Sequence, residues 1–201
     1  KFNNQLIQIK KPKLDSFAED LRYYGNLVKN EAIKKLGPFY PKIKITSKLI
    51  ESRNDLKDYL DKDLEVISWI WVRTIKSPNP SFSDIYVPLA SSFLLSQKKG
   101  KVTYVEPIIK ERNYFFKVRI GEPENLNKTK NGTKISRGAN FRCILSGDII
   151  DDKYIKSESK KKNLSSKLMA IVASGKRTKI YLDPSDEHEN IAKNSEPNWT
   201  P

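Results

Sequence analysis

Apolar side chains recur every three or four positions near the start of the chain, which predicts an amphipathic helix over residues 16–36. Ser16 and Glu19 have the spacing of a capping box, in which each side chain binds an otherwise unpaired amide. Gly37-Pro38 ends the helix, because proline cannot continue it. The apolar face consists of Phe17, Leu21, Tyr24, Val28 and Ala32. This face needs a surface to pack against.

The middle of the chain has the pattern of β-strands. Residues 65–75 are β-formers without a breaker and are apolar on both faces, which indicates a covered strand. Trp69 and Trp71 lie on one side of it; they could stack on bases, but we expect them in the core. The other predicted strands are 87–95, a hairpin of 102–109 with 114–120, and the short segments 149–156 and 179–182.

Three further segments have helical patterns. Residues 49–63 form a charged, weaker candidate. Leu164, Leu168, Ile171 and Val172 mark a helix that Gly175 closes, and Asp183-Pro184 opens a last helix that runs to Lys193. Residues 121–134 are polar and predict a loop.

The expected fold class is therefore α+β: an N-terminal amphipathic helix, an antiparallel sheet and C-terminal helices. We expect three parts: a helical segment at 1–62, a β-rich module at 63–160, and a helical segment with a tail at 161–201.

Charge points to a polyanionic partner. The chain has 201 residues and a net charge of +14, which attracts nucleic acid. Lysine dominates the surplus, which favours contact with the DNA backbone over base readout by arginine. The alternative is a merely solvated lysine surface.

Without a membrane-length apolar run or a secretory signal, we expect a cytoplasmic protein and no membrane partner. Because the chain begins with Lys1, we expect a trimmed chain or a piece of a longer product.

Signals for catalysis are sparse. There is no glycine-rich phosphate loop. His188 lies among acids, where a surface histidine is a better interpretation than a general base. Asp148, Asp151 and Asp152 could hold a divalent cation, but the simpler interpretation is that their carboxylates are solvated. The segment 79–82 approaches the catalytic motif of amino-methyltransferases, with Ser81 in place of its second proline.

Two segments have the outline of the knuckles of a zinc ribbon. They are Ser77-Pro78-Asn79-Pro80 and Cys143-Ile144-Leu145-Ser146-Gly147. A ribbon site needs four ligands such as thiolates around a tetrahedral ion, and Cys143 is the only cysteine in the chain. We therefore expect the knuckles to be degenerate and to bind no zinc.

The order of motifs along the chain resembles that of large adenine-specific DNA methyltransferases that carry a zinc ribbon and an N-terminal domain of unknown function, and that occur in phage-defence loci. Residues 71–80 are similar to "W-A-R-T-V-x-C-P-N-P" in that family, and residues 87–101 to "P-L-x-x-S-F-W-L-S-K-K-K-G-K". Residues 168–173 and 181–188 resemble "L-M-A-V-V-A" and "Y-L-x-P-x-x-E-H". The resemblance covers roughly residues 15–195.

The resemblance implies a non-catalytic internal segment or split subunit, used in restriction-modification or phage defence. The family's cofactor loop for S-adenosylmethionine and its catalytic motif match nothing in this chain, so we expect no cofactor and no catalytic residue. The family's cysteine positions correspond to Ser77, Phe82 or Ser83, Cys143 and Ser146.

The expected partners are DNA and a catalytic methyltransferase portion or subunit. The candidate DNA contacts form three basic clusters: Lys98, Lys99 and Lys101; Arg137 and Arg142; and Lys160, Lys161 and Lys162. One alternative is a protein-interaction scaffold that docks through its first helix. An independent enzyme is the other alternative, and it has the least support.

Overall fold

The computed structural model describes residues 17–98 and 100–195, and the chain divides into two compact units at residues 1–40 and 41–201. In the first unit, helix α1 (Phe17–Leu36) confirms the predicted amphipathic helix. A short 3₁₀ turn, Gly37–Phe39, ends it. No residue of α1 is buried. The proposed capping residue Ser16 lies outside the described residues.

The second unit contains antiparallel strands and short helices. In chain order they are β1 (Ile43–Lys44), α2 (Ser47–Ser52), β2 (Asp63–Leu64), β3 (Val66–Lys76), β4 (Tyr86–Pro88), β5 (Leu94–Lys98), β6 (Lys101–Lys110), β7 (Asn113–Ile120), α3 (Leu126–Asn131), β8 (Phe141–Arg142), β9 (Ile149–Ile150), α4 (Asp152–Lys160), β10 (Leu164–Ser174), β11 (Lys179–Leu182) and α5 (Asp186–Asn194). The expectation of an α+β chain with an N-terminal helix, antiparallel sheets and C-terminal helices is confirmed.

The main sheet has the order β11-β10-β3-β4, with every pair antiparallel. Its central strand β10 shows that the predicted helix over residues 164–172 was wrong. Every side chain from Leu168 to Ala173 is buried. Leu168 and Ile171 face one core cluster while Met169 and Ala170 face another, so the strand is covered on both sides. The apolar residues of β10 therefore match the spacing expected of a helix as well as that expected of a buried strand.

The pairing of β10 with β3 joins parts of the chain that we expected to be separate. Leu164 pairs with Ile75 at one end of the ladder, and Ala173 pairs with Val66 at the other. Residues of the expected β-rich module and of the expected C-terminal segment thus lie in one sheet.

A second sheet, in the order β5-β6-β7, contains the predicted hairpin. The single strand predicted over residues 87–95 was wrong, because two different sheets share this segment. β4 pairs with β3, whereas β5 pairs with β6. Between β4 and β5 the Phe93 amide donates to the carbonyl of Thr129 at 2.8 Å, so the chain at Phe93 pairs outside the first sheet.

Side-chain capping explains two further corrections. The predicted strand over residues 149–156 stops at Ile150, because the Asp151 carboxylate accepts a hydrogen bond from the Tyr154 amide at 2.7 Å and starts α4. The last helix, α5, is capped by Ser185, whose hydroxyl accepts a hydrogen bond from the His188 amide. Asp183, the predicted cap, instead accepts from the Val118 amide at 2.6 Å and ties the two sheets together.

The remaining helical predictions were partly correct. The predicted helix over residues 49–63 is α2 followed by a 3₁₀ segment, Asn54–Tyr59. The predicted loop over residues 121–134 contains the short helix α3.

Trp69 and Trp71 pack half-buried against the first core cluster, in agreement with the core interpretation.

Candidate nucleic-acid interface

The two predicted knuckles meet in the structure. Ser77 follows the end of β3 and is 2% exposed, and Cys143 follows β8 and is 1% exposed. Their Oγ and Sγ atoms lie 3.5 Å apart. The Ser146 amide donates to Cys143 Sγ at 3.4 Å, and the Asn79 amide donates to Ser77 Oγ at 3.3 Å. Burial raises the pKa of the Cys143 thiol, but hydrogen bonds from Ser146 and Ser77 outweigh it, so that the pKa is lowered.

A second hydrogen bond joins the two segments that we predicted as knuckles. Asn79 Nδ2 donates to Asp148 Oδ2 at 2.7 Å, and this bond, with a weaker one from Ser146, lowers the pKa of the Asp148 carboxyl. Asn79 Oδ1 also accepts from the Ser81 amide and caps the 3₁₀ turn Pro80–Phe82. The side chain of Asn79 is therefore engaged in holding the knuckles.

The other two predicted knuckle positions face outward. Phe82 is half-buried, and the guanidinium of Arg112 lies 5.8 Å from the centre of its ring. Ser83 is exposed, and its hydroxyl donates to the Pro80 carbonyl. Within residues 17–98 and 100–195, no group of three or more histidine, cysteine or acidic side chains could hold a metal ion.

The acidic cluster near the second knuckle is divided among separate partners. Asp148 binds Asn79, Asp151 caps α4, and Asp152 forms an ion pair with Lys156 at 2.6 Å. These carboxylates therefore have structural roles.

The surface position that we expected for His188 was wrong. This side chain is 4% exposed, and its Nδ1 accepts a hydrogen bond from Trp69 Nε1 at 3.3 Å. Burial lowers the pKa of His188, although Glu187 opposes the shift. A neutral imidazole that accepts an indole proton is a structural group in this position.

The predicted basic residues fall on different parts of the fold. Lys98 and Lys101 are exposed and face each other across the β5–β6 turn. Lys99 lies outside the described residues. Arg137 is exposed, and Arg142 Nη1 donates to the Gly147 carbonyl at 2.9 Å.

The third predicted cluster is only partly free to meet a ligand. Lys161 pairs with Glu158 at 2.8 Å. Glu158 is 6% exposed and also accepts from Asn163 Nδ2. Lys161 therefore neutralises a carboxylate of its own fold, while Lys160 and Lys162 beside it are exposed.

Five lysines line a cleft of about 430 Å³, which we call the lysine cleft. Three segments converge on it: the β5–β6 turn, the β10–β11 turn and the loop after the 3₁₀ segment Asn54–Tyr59. Its lysines are Lys62, Lys98, Lys101, Lys176 and Lys179. Sequence reasoning found two of these five. The pairing of β10 with β11 brings in Lys176 and Lys179, and the loop after the 3₁₀ segment brings in Lys62.

The walls of the lysine cleft are fixed by long-range hydrogen bonds. Tyr59 Oη accepts from the Lys176 amide at 2.9 Å, and Tyr181 Oη donates to the Leu95 carbonyl at 3.4 Å. The cleft also contains Asp55 and Asp58. Arg53 neutralises Asp55 through two hydrogen bonds of 2.8 and 2.9 Å. In the part of the chain that the structure describes, none of the five lysines forms an ion pair, and Lys62 Nζ donates to the Asp58 carbonyl at 2.6 Å.

A wider cleft, of about 780 Å³, has a mixed charge and suits a polyanion less well. Its cations Arg112 and Lys193 pair with Asp84 and Glu189, at 3.1 and 2.6 Å. Lys167 lies over the ring of Tyr114, and burial lowers its pKa. The positive charge of this cleft is therefore largely compensated.

Comparison of the chain with protein-family models, with curated proteins and with solved structures finds no match. None of the helices within the described residues has the length and apolar character needed to cross a membrane. The clefts and their charges are consequently the features of this chain that bear on its function.

Proposed function

We propose that this chain is a non-catalytic module that contacts the sugar-phosphate backbone of DNA through the lysine cleft. The observation that carries the proposal is the convergence of five lysines on one cleft, none of them in an ion pair among the described residues. Phosphates are attracted to such a site, and their binding releases counterions. The net charge of +14 adds a field that steers a polyanion toward the protein.

We propose further that the module serves an adenine-specific DNA methyltransferase, as an internal segment or a split subunit that acts on DNA in the cytoplasm, in restriction-modification or phage defence. Its support is the order of motifs across residues 15–195. S-adenosylmethionine would then belong to the catalytic portion. A zinc ion is not part of the proposal, because hydroxyls stand at Ser77 and Ser146.

A salt titration of binding to a duplex DNA of arbitrary sequence tests the DNA contact. Each lysine–phosphate contact contributes about −0.9 to the slope of log K against log salt. The variant Lys98→Ala/Lys179→Ala removes two cleft charges, so its slope should be smaller by about 1.8. The matched control Lys48→Ala/Lys153→Ala removes two exposed charges outside the cleft and should keep the slope of the parent chain. Absence of binding at low salt, or equal slopes in both variants, would overturn the proposal.

A protein-interaction scaffold is a second candidate, and the exposed apolar side chains of α1 favour it. Phe17, Leu21, Tyr24 and Val28 are 79, 59, 50 and 68% exposed. Docking of this face onto a catalytic partner would bury the four side chains. The variant Leu21→Ser/Val28→Ser should then lose co-purification with a methyltransferase subunit while its DNA affinity stays unchanged. If the partner is retained by this variant, the face is not the docking site.

A further inference from the structure

A third cleft, which shares no lining residue with the lysine cleft, combines aliphatic walls with a cationic rim. Its volume is about 470 Å³, which lies in the range of ligand sites. We call it the aliphatic cleft. Its apolar lining consists of Phe93, Pro107, Ile109, Ile135 and Ile144, and its cations are Lys128, Lys134 and Arg142.

The cleft is formed before any partner arrives. The Thr133 amide donates to the Ala90 carbonyl at 2.8 Å, and Thr133 Oγ1 accepts from the Ala90 amide at 2.9 Å. These bonds fix the segment after α3 against the chain that follows β4. The Arg142 amide donates to the Thr133 carbonyl at 2.7 Å, and the Arg142 side chain is held by its hydrogen bond to the Gly147 carbonyl. A partner would therefore meet an ordered surface.

The apolar part of the cleft suits aliphatic side chains better than nucleobases. Bases bind mainly by stacking on exposed aromatic faces. Phe93 is the one aromatic residue among the described lining residues, and it is 5% exposed and packs beside Phe116. Ile109 and Ile135, in contrast, are 50 and 42% exposed. Burial of these side chains would supply the main binding energy.

The charge of the rim decides which aliphatic partner fits. The described lining residues include three cations and no carboxylate. A basic peptide would be repelled, whereas acidic side chains beside an aliphatic anchor would lie near opposite charges.

We propose that the aliphatic cleft binds a peptide segment of a partner protein in which leucine-like side chains alternate with aspartate or glutamate. This site is separate from the lysine cleft and does not depend on the proposed contact with DNA.

Methyl NMR of isoleucine in the full chain, with the probe peptide Glu-Asp-Leu-Glu-Leu-Asp-Glu, tests the proposal. Saturable shifts of the Ile109, Ile135 and Ile144 methyl signals are expected. Peptides with lysine in place of the acids, or with serine in place of the leucines, should leave these signals unchanged. A short single-stranded DNA should also leave them unchanged.

Two variants separate charge from packing in this experiment. Lys134→Ala/Arg142→Ala should weaken binding about 3- to 10-fold, as expected for two exposed ion pairs. Ile135→Ser, at a partly exposed position that leaves the core intact, should weaken it at least about 5-fold. The control Lys48→Ala/Lys153→Ala should bind like the parent chain. Absence of shifts at about 1 mM peptide, equal shifts with the basic peptide, or shifts of the three signals with DNA would each overturn the proposal.

Discussion

The hydroxyl oxygen of Ser77 lies 3.5 Å from the thiol sulfur of Cys143, although 66 positions separate the two residues in sequence. In a tetrahedral zinc site with Zn–S bonds of about 2.3 Å, neighbouring sulfurs lie about 3.8 Å apart. Ser146 is also hydrogen-bonded to this thiol. The fold therefore brings the Ser77 hydroxyl close to the spacing of two metal ligands from the Cys143 thiol and places Ser146 beside that thiol, but only one of the three residues is a cysteine.

This arrangement predicts that the purified chain contains far less than one zinc per molecule and that a chelator leaves its thermal unfolding midpoint unchanged. Serine hydroxyls are not among the usual zinc ligands in proteins. The double variant Ser77→Cys/Ser146→Cys offers three thiolates and should gain Co²⁺ binding, seen as a sulfur-to-metal absorption band. The single variant Ser77→Cys serves as the control. Stoichiometric zinc in the unmodified chain would contradict this prediction.

The contact between Ser77 and Cys143 shows how far the sequence could predict the site. Matching motif outlines pointed to Ser77 and Cys143, and the structure brings them into contact. The lysine cleft was predicted only in part, because Lys176 and Lys179, in the β10–β11 turn and at the start of β11, follow a segment that we predicted as a helix. Because residues 164–174 form the strand β10, the pairing of β10 with β11 places both lysines in the cleft. The error has a physical cause: a strand buried on both faces has no alternation that distinguishes it from a short buried helix.

The position of His188 was missed for a related reason. Its neighbours Asp186, Glu187 and Glu189 are acidic, which suggested a solvated helix. One turn of a helix presents several faces, however, and the face that carries His188 lies against Trp69. A single buried polar residue leaves no periodic signal in the sequence.

Gly132 occupies a position that should tolerate no side chain. Its φ is +58°, and a Cβ atom there would lie 2.4 Å from the Ala90 carbonyl oxygen and 2.9 Å from the Ser92 nitrogen. Gly147 has a φ of +79° but open space around it. In both Gly→Ala variants the free energy of unfolding should fall by about 1–2 kcal/mol, because alanine is strained at a positive φ. Gly132→Ala should lose about 1–3 kcal/mol more, because backbone atoms must move to relieve the overlap.

Urea unfolding of the two variants measures this difference. The same variants also examine the aliphatic cleft, since Gly132 and Gly147 both line it. Equal free energies of unfolding would mean that the segment at Gly132 can shift away from Ala90 at little cost.

The hydrogen bond from Trp69 to His188 predicts a stability that depends on pH. Burial lowers the pKa of His188 below its ordinary value of 6.5, whereas the unfolded chain keeps that ordinary value. Between pH 6.5 and the lower folded pKa, the unfolded state therefore binds more protons than the folded state. Stability from this group is complete above pH 6.5 and is lost as the pH falls through that window, at a rate of up to about 1.4 kcal/mol per pH unit.

The variant His188→Gln separates this effect from the titration of carboxylates. Its amide oxygen can still accept the indole proton of Trp69, but it does not titrate. Urea unfolding at a series of pH values from about 7.5 to 5 should show a steeper decline for the parent chain than for the variant. The carboxylates, Glu187 among them, are the same in both chains, so the difference between the two curves isolates the imidazole. Parallel curves would mean that His188 accepts its proton as readily when folded as when unfolded, which a 4% exposed imidazole bound to Trp69 through Nδ1 should not do.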